Sequence, residues 1–82
     1  MDNAELLGLI KEALAEVAPT RKRDFENVAM NTQIESLGLD SIATMEMVGF
    51  LEEQVDATFP DEELTKVNSL GDLAQLIQSH KG

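Results

Sequence analysis

Apolar residues recur every three or four positions in three segments of this chain, which is the spacing of one face of an α-helix. No segment shows the sustained alternation of polar and apolar residues that is typical of a half-buried strand. The first segment, which Asp2 or Asn3 can cap, runs from about Asn3 to Ala18 and ends before Pro19. The second follows Asp40, and the last opens at Ser69, the expected N-cap, with Asp72 three residues later. The sequence therefore predicts an all-α fold.

The segments that connect these three helices are predicted to contain a short helix and a packed loop. Residues 61–66 begin with acids and end with a cation, which suits the helix dipole and predicts a short third helix. Phe59 precedes a proline that favours an extended backbone, and we expect its ring to anchor in the core. The segment from Phe25 to Gly38 is too apolar for a free loop, so we expect a packed loop with a helical turn near Ile34 to Leu37. The prediction is a four-helix bundle of three longer helices and a short third one, with a long loop between helices one and two, in a single domain over residues 1–82.

The composition is strongly acidic, with 16 Asp and Glu against 6 Lys and Arg and a formal net charge of −10. We expect no nucleic acid partner, because phosphate contacts need Lys and Arg, and we expect protein partners with basic surfaces. The chain has no cysteine and one histidine, so neither a disulfide nor a metal site is predicted. It shows no signal peptide and no apolar run near the roughly 20 residues of a membrane span. We expect a cytoplasmic monomer that does not bind membranes.

Two polar stretches remain. Arg21, Lys22 and Arg23 stand together in an otherwise acidic chain, either as a site for an anionic partner or as compensation near an acidic helix end. We favour compensation, because three solvated charges are ordinary on a surface. The tail from Gln78 to Gly82 is polar, and we expect it to fray, with His80 acting as a partner of the helix dipole and not as a catalyst.

The helix that follows Asp40 has two different apolar faces. Asp40 is a good N-cap, which makes Ser41 the first helical residue. At about 100° per residue, one arc of roughly 100° has the width expected of a helix packed on a core. That buried face consists of Thr44, Met47, Val48, Leu51 and Val55.

The second face lies within about 60° on the same wheel. It consists of Ile42, Met45 and Gly49, surrounded by Glu46, Glu52 and Glu53. Ser41 borders this patch. Because a solvent-facing strip of Ile and Met beside carboxylates is more than a core needs, it indicates a docking surface. A serine after an aspartate at a helix start, taken alone, is usually structural.

Four segments carry a family resemblance: Leu37-Gly-Leu-Asp-Ser-Ile42, Met45-Glu-Met47, Leu51-Glu-Glu53 and Phe59-Pro-Asp-Glu-Glu63. In these segments the chain resembles the acyl carrier proteins, and the resemblance covers nearly all of its length. In that family the serine of an Asp-Ser-Leu or Asp-Ser-Ile motif carries a 4′-phosphopantetheine arm transferred from coenzyme A. The matching position here is Ser41.

The resemblance implies a carrier whose arm holds acyl groups as thioesters, and no catalytic residue. Ser41 has no histidine near it in the sequence and no Gly-x-Ser-x-Gly frame, so it is better explained as the substrate of a phosphopantetheinyl transferase than as a nucleophile. The implied partners are that transferase and acyltransferases, ketosynthases and other acyl-processing enzymes with basic patches. The implied docking residues are Asp40, Ile42, Met45, Glu46, Gly49, Glu52 and Glu53.

Departures from the family pattern bear on the pathway. Gly49 stands where fatty-acid carriers commonly have a larger apolar residue, Ile42 replaces the commoner leucine, and residues 43–45 lack the usual Asp-Thr-Val. These differences favour a carrier of polyketide or other specialised acyl biosynthesis over a housekeeping fatty-acid carrier. From a different class, an unmodified acidic helical adaptor would use the same face for binding alone. No segment has the ligand spacing of a calcium-binding EF-hand.

Overall fold

The computed structural model describes residues 2–80, which form helices joined by turns and loops. The α-helices are α1 (Asn3–Val17), α2 (Ser41–Val55), α3 (Asp61–Leu64) and α4 (Leu70–His80). Two 3₁₀ helices, Pro19–Phe25 and Ile34–Leu37, lie in the connection between α1 and α2. Within the described residues no strand forms, and Gln33 and Ser69 meet only in an isolated bridge. The predicted all-α four-helix bundle is confirmed.

The ends of α1 and α4 use caps that the sequence indicates. At α1 the Asp2 Oδ1 accepts a hydrogen bond from the backbone N–H of Glu5 at 2.8 Å. At α4 the Ser69 Oγ accepts from the N–H of Asp72 at 3.1 Å, and the Asp72 carboxylate accepts from the N–H of Ser69 at 3.1 Å. Hydrogen bonds from the backbone N–H groups of Ser69 and Asn68 hold the pKa of Asp72 below its ordinary value, and the bond from Ser69 has the larger effect.

The core draws mainly on one face of each long helix. Its α-helical members are Leu6, Ile10, Ala13, Leu14, Met47, Leu51, Val55, Leu70, Leu73, Ala74, Leu76 and Ile77. No polar or charged side chain is buried in residues 2–80. Thr44 and Val48 lie half-buried at the margin of the α2 face. The predicted inward face of this helix is therefore confirmed, with three members in the core and two at its edge.

The connection between α1 and α2 packs on the bundle as expected, although only one of its helical turns was predicted. The turn at Ile34–Leu37 is confirmed. The 3₁₀ helix at Pro19–Phe25 was not predicted, since its charged middle disfavours a buried element. Phe25 is nevertheless buried at its end. This charged 3₁₀ helix thus places the aromatic ring of Phe25 in the core.

Backbone hydrogen bonds fasten this connection to the start of α4. The N–H of Leu70 donates to the carbonyl of Thr32 at 2.9 Å, and the N–H of Gly71 donates to the carbonyl of Met30 at 2.7 Å. A Cβ on Gly71 would lie 2.9 Å from that same Met30 oxygen. Glycine is therefore required here, because the two backbones approach too closely for a side chain.

The C-terminal part of the chain corrects one prediction. Gln78 to His80 do not fray, because α4 continues through His80. The His80 Nε2 lies 2.6 Å from the Glu63 Oε2, and its ring meets Phe59 edge-on with ring centroids 6.2 Å apart. Phe59 is buried, as expected. The remaining two residues of the predicted tail lie outside the described residues.

Candidate functional site

Ser41 is exposed at the first position of α2, where the helix start is held by its neighbours. The Asp40 Oδ1 accepts a hydrogen bond from the N–H of Ala43 at 2.7 Å. The Asp40 carbonyl accepts from the N–H of Thr44 at 3.0 Å and from its hydroxyl at 2.9 Å. None of these contacts uses the Ser41 hydroxyl. The backbone under Ser41 is thus fixed while its side chain faces solvent, and the predicted N-cap is confirmed.

The turn before Ser41 is held as firmly as the helix after it. Leu37 is buried, and Gly38 takes the left-handed backbone conformation with φ of 71° that ends the 3₁₀ helix. The guanidinium of Arg21 lies beside this glycine, 3.4 Å from where a Cβ would stand. Ser41 therefore projects from a short turn between the second 3₁₀ helix and α2, and the backbone is held on both sides of this turn.

The side chain of Arg21 packs beside the turn that precedes Ser41, a contact that the sequence did not predict. Its Nε lies 3.3 Å from the Asp24 Oδ2, and its guanidinium stacks 5.0 Å from the centroid of the Phe25 ring. The pair with Asp24 supports the interpretation of this cation as local compensation. Lys22 and Arg23 are exposed.

The second face of α2 is as apolar and as open as the helical wheel predicts. Ile42 is 69% exposed and Met45 is 74% exposed, whereas Met47 on the opposite side is fully buried. A Cβ on Gly49 would meet nothing within 4 Å. Because these two large apolar side chains are both exposed on one face of the helix, they form a surface suited to contact with another protein.

The three predicted docking glutamates differ in their surroundings. Glu46 and Glu53 are exposed. The Glu52 Oε2 instead accepts a hydrogen bond from the backbone N–H of Phe59 at 2.8 Å. This glutamate holds the connection between α2 and α3, so its carboxylate has a structural contact that the sequence pattern did not reveal. The freely presented charges of the face are those of Glu46 and Glu53.

The single histidine, His80, is hydrogen-bonded to Glu63 and stands 39 residues after Ser41 in the sequence. Across residues 2–80 no three His, Cys, Asp or Glu side chains are grouped to hold a metal ion. In the same part of the chain, no helix has the length and apolar content that crossing a membrane requires.

A phosphopantetheine group is compatible with Ser41 as the structure presents it. Its hydroxyl oxygen lies in the open at a helix start, so a phosphodiester there meets neither core nor buried charge. A groove of about 400 Å³ between α1, the first 3₁₀ helix and α2 is lined by Phe25 and Phe50. Phe50 stands about 180° from Ser41 around α2, so this groove opens on the other side of the helix.

Comparison with known proteins agrees with this geometry. The family model described as "Phosphopantetheine attachment site" matches residues 6–77. An acyl carrier protein homolog of Ureaplasma parvum is 33% identical over 69 residues, which cover 84% of this chain and 90% of that protein. The non-reducing polyketide synthase tazA of Aspergillus terreus is 28% identical over 80 residues, 98% of this chain but 3% of the synthase.

A solved structure has the same fold. It is a chain in the crystal structure of the curacin biosynthetic pathway HMG synthase in complex with acetyl donor-ACP. The TM-score is 0.80 at 25% identity, and the alignment covers 96% of this chain and 99% of that one. With the family model spanning α1 to α4, the chain belongs to the phosphopantetheine-attachment family, that of the acyl carrier proteins.

Proposed function

We propose that Ser41 is the residue that receives the 4′-phosphopantetheine arm, and that residues 1–82 act as one acyl carrier domain. The donor is coenzyme A and the catalyst is a phosphopantetheinyl transferase. The Ser41 oxygen attacks the phosphorus that bears the pantetheine arm, the pyrophosphate bond of coenzyme A breaks, and adenosine 3′,5′-bisphosphate leaves, while the serine proton passes to a base of the transferase. When bound, the arm supplies a thiol that holds acyl groups as thioesters.

The exposure of Ser41 on a fixed helix start carries this proposal. A carrier must offer one hydroxyl to the active site of another enzyme, and the Asp40 cap and the Gly38 turn hold the backbone on both sides of it. Pre-organisation of this kind limits the ordering that an enzyme must impose when it binds. Ser41 acts as a substrate because the activating base belongs to the transferase.

The open face of α2 is proposed as the docking surface for partner enzymes. Ile42 and Met45 supply apolar contact, and Glu46 and Glu53 supply charges that attract basic patches on the transferase and on acyltransferases, ketosynthases and other acyl-processing enzymes. Electrostatic attraction raises the encounter rate and the selectivity more than the affinity. That balance suits a carrier that must leave each enzyme after one transfer.

The proposed pathway is polyketide or other specialised acyl biosynthesis. Gly49 and the Ile-Ala-Thr-Met run after Ser41 depart from the fatty-acid pattern. The matches to a polyketide synthase and to the curacin pathway complex support the same direction. The second candidate is a housekeeping fatty-acid carrier, because the Ureaplasma relative is a small acyl carrier protein homolog and not a segment of a synthase.

Intact mass spectrometry tests the attachment. The purified protein is incubated with coenzyme A, magnesium and a broad-specificity phosphopantetheinyl transferase, beside Ser41→Ala and Ser36→Ala variants. Ser36 is a matched control, because it is also exposed and lies five residues earlier in the chain. We expect one added phosphopantetheine in the wild type and in Ser36→Ala and none in Ser41→Ala.

An absence of added mass in folded, previously unmodified wild type would contradict the attachment and favour the adaptor. Addition to Ser41→Ala would contradict the choice of serine. In the adaptor case, Ser41→Ala would also keep every binding partner of the wild type.

Charge reversal tests the docking surface. We expect Glu46→Lys with Glu53→Lys to slow attachment at low salt, because the transferase loses its electrostatic attraction to α2. Glu12→Lys with Glu16→Lys, both exposed on α1, makes the same change in net charge elsewhere and serves as the control. Glu52 is left intact because its contact with Phe59 is structural. Equal slowing in both double variants would mean that net charge alone matters.

A further inference from the structure

The guanidinium of Arg21 lies against the turn that leads into Ser41. Its Nη1 lies 3.4 Å and its Nη2 lies 3.7 Å from where a Cβ on Gly38 would stand. Its Nε, on the side of the group that joins the chain, lies 3.3 Å from the Asp24 Oδ2. The group is therefore held through Nε, and its terminal edge, with the N–H donors of both Nη atoms, lies along the backbone that precedes Ser41.

We propose that this terminal edge binds the phosphate of the arm attached to Ser41, so that Arg21 is a positioning residue for the arm. The inference rests on the proposed function, since it names a contact of the group that Ser41 receives. In this role Arg21 sets the direction in which the arm leaves the start of α2. The contact belongs to the first 3₁₀ helix and not to the exposed face of α2.

Attachment of the arm adds a negative charge where the chain is already acidic. A phosphodiester is ionised at neutral pH, and the carboxylates of Asp40 and Glu35 are both exposed in the segment just before Ser41. Arg21 places a positive charge against the same segment. Because like charges that lie close together repel one another, the phosphate is favoured next to the guanidinium over any position nearer these carboxylates.

Asp24 and Phe25 hold the guanidinium in its orientation before any arm is attached. The guanidinium carbon lies 5.0 Å from the centroid of the Phe25 ring, which is buried. The Arg21 side chain is still 38% exposed, so a phosphate can reach it from solvent. A side chain that is already ordered loses less entropy on binding. The planar end of an arginine also matches the unesterified oxygens of a phosphodiester, whereas a lysine offers only a point charge.

The arm at Ser41 begins within reach of this cation. Ser41 is the third residue after Gly38, so the Cα atoms of the two residues are at most about 11 Å apart. The phosphate is joined to the Ser41 side chain, and Arg21 has a long side chain with several rotamers, so both groups can move into this gap. The turn between them is fixed by the left-handed Gly38 and by the Asp40 cap.

The experiment is a double-mutant cycle in which one of the two changes is the attachment of the arm. Urea unfolding is measured at low and high salt for the unmodified and the modified forms of wild type, Arg21→Gln, Arg21→Lys and Arg23→Gln. Arg23 is the matched control, because it is exposed in the same 3₁₀ helix and its replacement makes the same change in charge. The loss of the Asp24 and Phe25 contacts affects both forms of an Arg21 variant alike and cancels from the cycle.

We expect attachment to stabilise wild type relative to Arg21→Gln by about two- to fivefold in the equilibrium constant of unfolding, which is the size of an exposed ion pair. Arg21→Lys should keep part of this difference, and Arg23→Gln should behave as wild type. The difference should shrink at high salt. The phosphorus NMR signal of modified Arg21→Gln should differ from that of modified wild type, and that of Arg23→Gln should match it.

Other results overturn the inference. An equal effect of attachment on wild type and Arg21→Gln, or an equal loss in Arg23→Gln, removes Arg21 as the residue that binds the phosphate. A shift of the Arg21 Nε–H signal when coenzyme A is added to the unmodified protein without transferase removes the attached arm as the ligand. If the transferase adds no arm to wild type, the proposed function itself fails, whereas a modified protein that shows no coupling overturns only the contact with Arg21.

Discussion

Two methionines of α2, two residues apart, give the sharpest test of how this helix is oriented. Met47 is fully buried in the core, whereas Met45 is 74% exposed on the proposed docking surface. Met47→Ala and Met45→Ala make the same chemical change in the same helix. Any difference between the two variants therefore comes from their surroundings.

The expected costs differ severalfold. Truncating a fully buried methionine to alanine costs about 2–5 kcal/mol, from lost burial and the cavity left behind. A domain of this size has a stability of roughly 4–12 kcal/mol, so Met47→Ala removes a large part of it. That loss lowers the unfolding temperature by about 10 °C or more. Met45→Ala should change stability by no more than about 0.5 kcal/mol.

Urea unfolding followed by circular dichroism measures both free energies, and the transferase reaction measures docking. We expect Met47→Ala to lose stability but to keep its KM at temperatures where it is folded. Met45→Ala should show the reverse, a normal stability and a raised KM. If the two variants had the same free energy of unfolding, the face of α2 that packs on the core would not be the one that contains Met47. If Met45→Ala had the KM of wild type, Met45 would not belong to the docking surface.

Two further predictions concern backbone contacts at the start of α4. Gly71→Ala should destabilise the protein, because the added Cβ would lie 2.9 Å from the Met30 carbonyl oxygen. Gly8→Ala on α1 is the control and should be neutral or stabilising, because nothing lies within 4 Å of a Cβ there. Equal urea unfolding midpoints for the two variants would contradict the close approach of Gly71 to the Met30 backbone. The lowered pKa of Asp72 means that its contribution to stability is present above the ordinary carboxyl pKa of about 4 and is lost as pH falls through the lower folded value. The stability gap between wild type and Asp72→Asn should therefore narrow in acid, and a gap that is constant with pH in urea titrations would contradict this role.

The parts of the fold that follow from local pattern could be predicted. The two faces of α2 depend on residues three and four positions apart, so the burial of Met47 and the exposure of Met45 were both readable from periodicity. The caps at Asp2 and Asp40 depend on a side chain and an N–H three residues later. Phe59 could be placed in the core because the proline after it breaks the helical pattern.

Contacts between distant positions could not be predicted in the same way. The sequence pattern predicts a free docking charge at Glu52, whereas its carboxylate accepts a hydrogen bond from the N–H of Phe59, seven residues later. The polar composition predicts that His80 belongs to a fraying tail, yet its ring is hydrogen-bonded to Glu63, 17 residues earlier in the sequence. Periodicity contains no information about which element each side chain meets. A polar residue with a tertiary partner therefore looks the same in sequence as a solvated one.

The acidity of the chain acts on the proposed docking surface in two ways. Ile42 and Met45 form an exposed apolar pair of the kind that promotes association between copies. The carboxylates of Glu46 and Glu53 beside them, within a net charge of −10, repel a second copy while attracting a basic partner. Neutralising both glutamates to Gln should therefore weaken docking and strengthen self-association at once. Sedimentation of the double variant at low and high salt separates the two effects, and a monomer under both conditions would mean that these charges serve recognition alone.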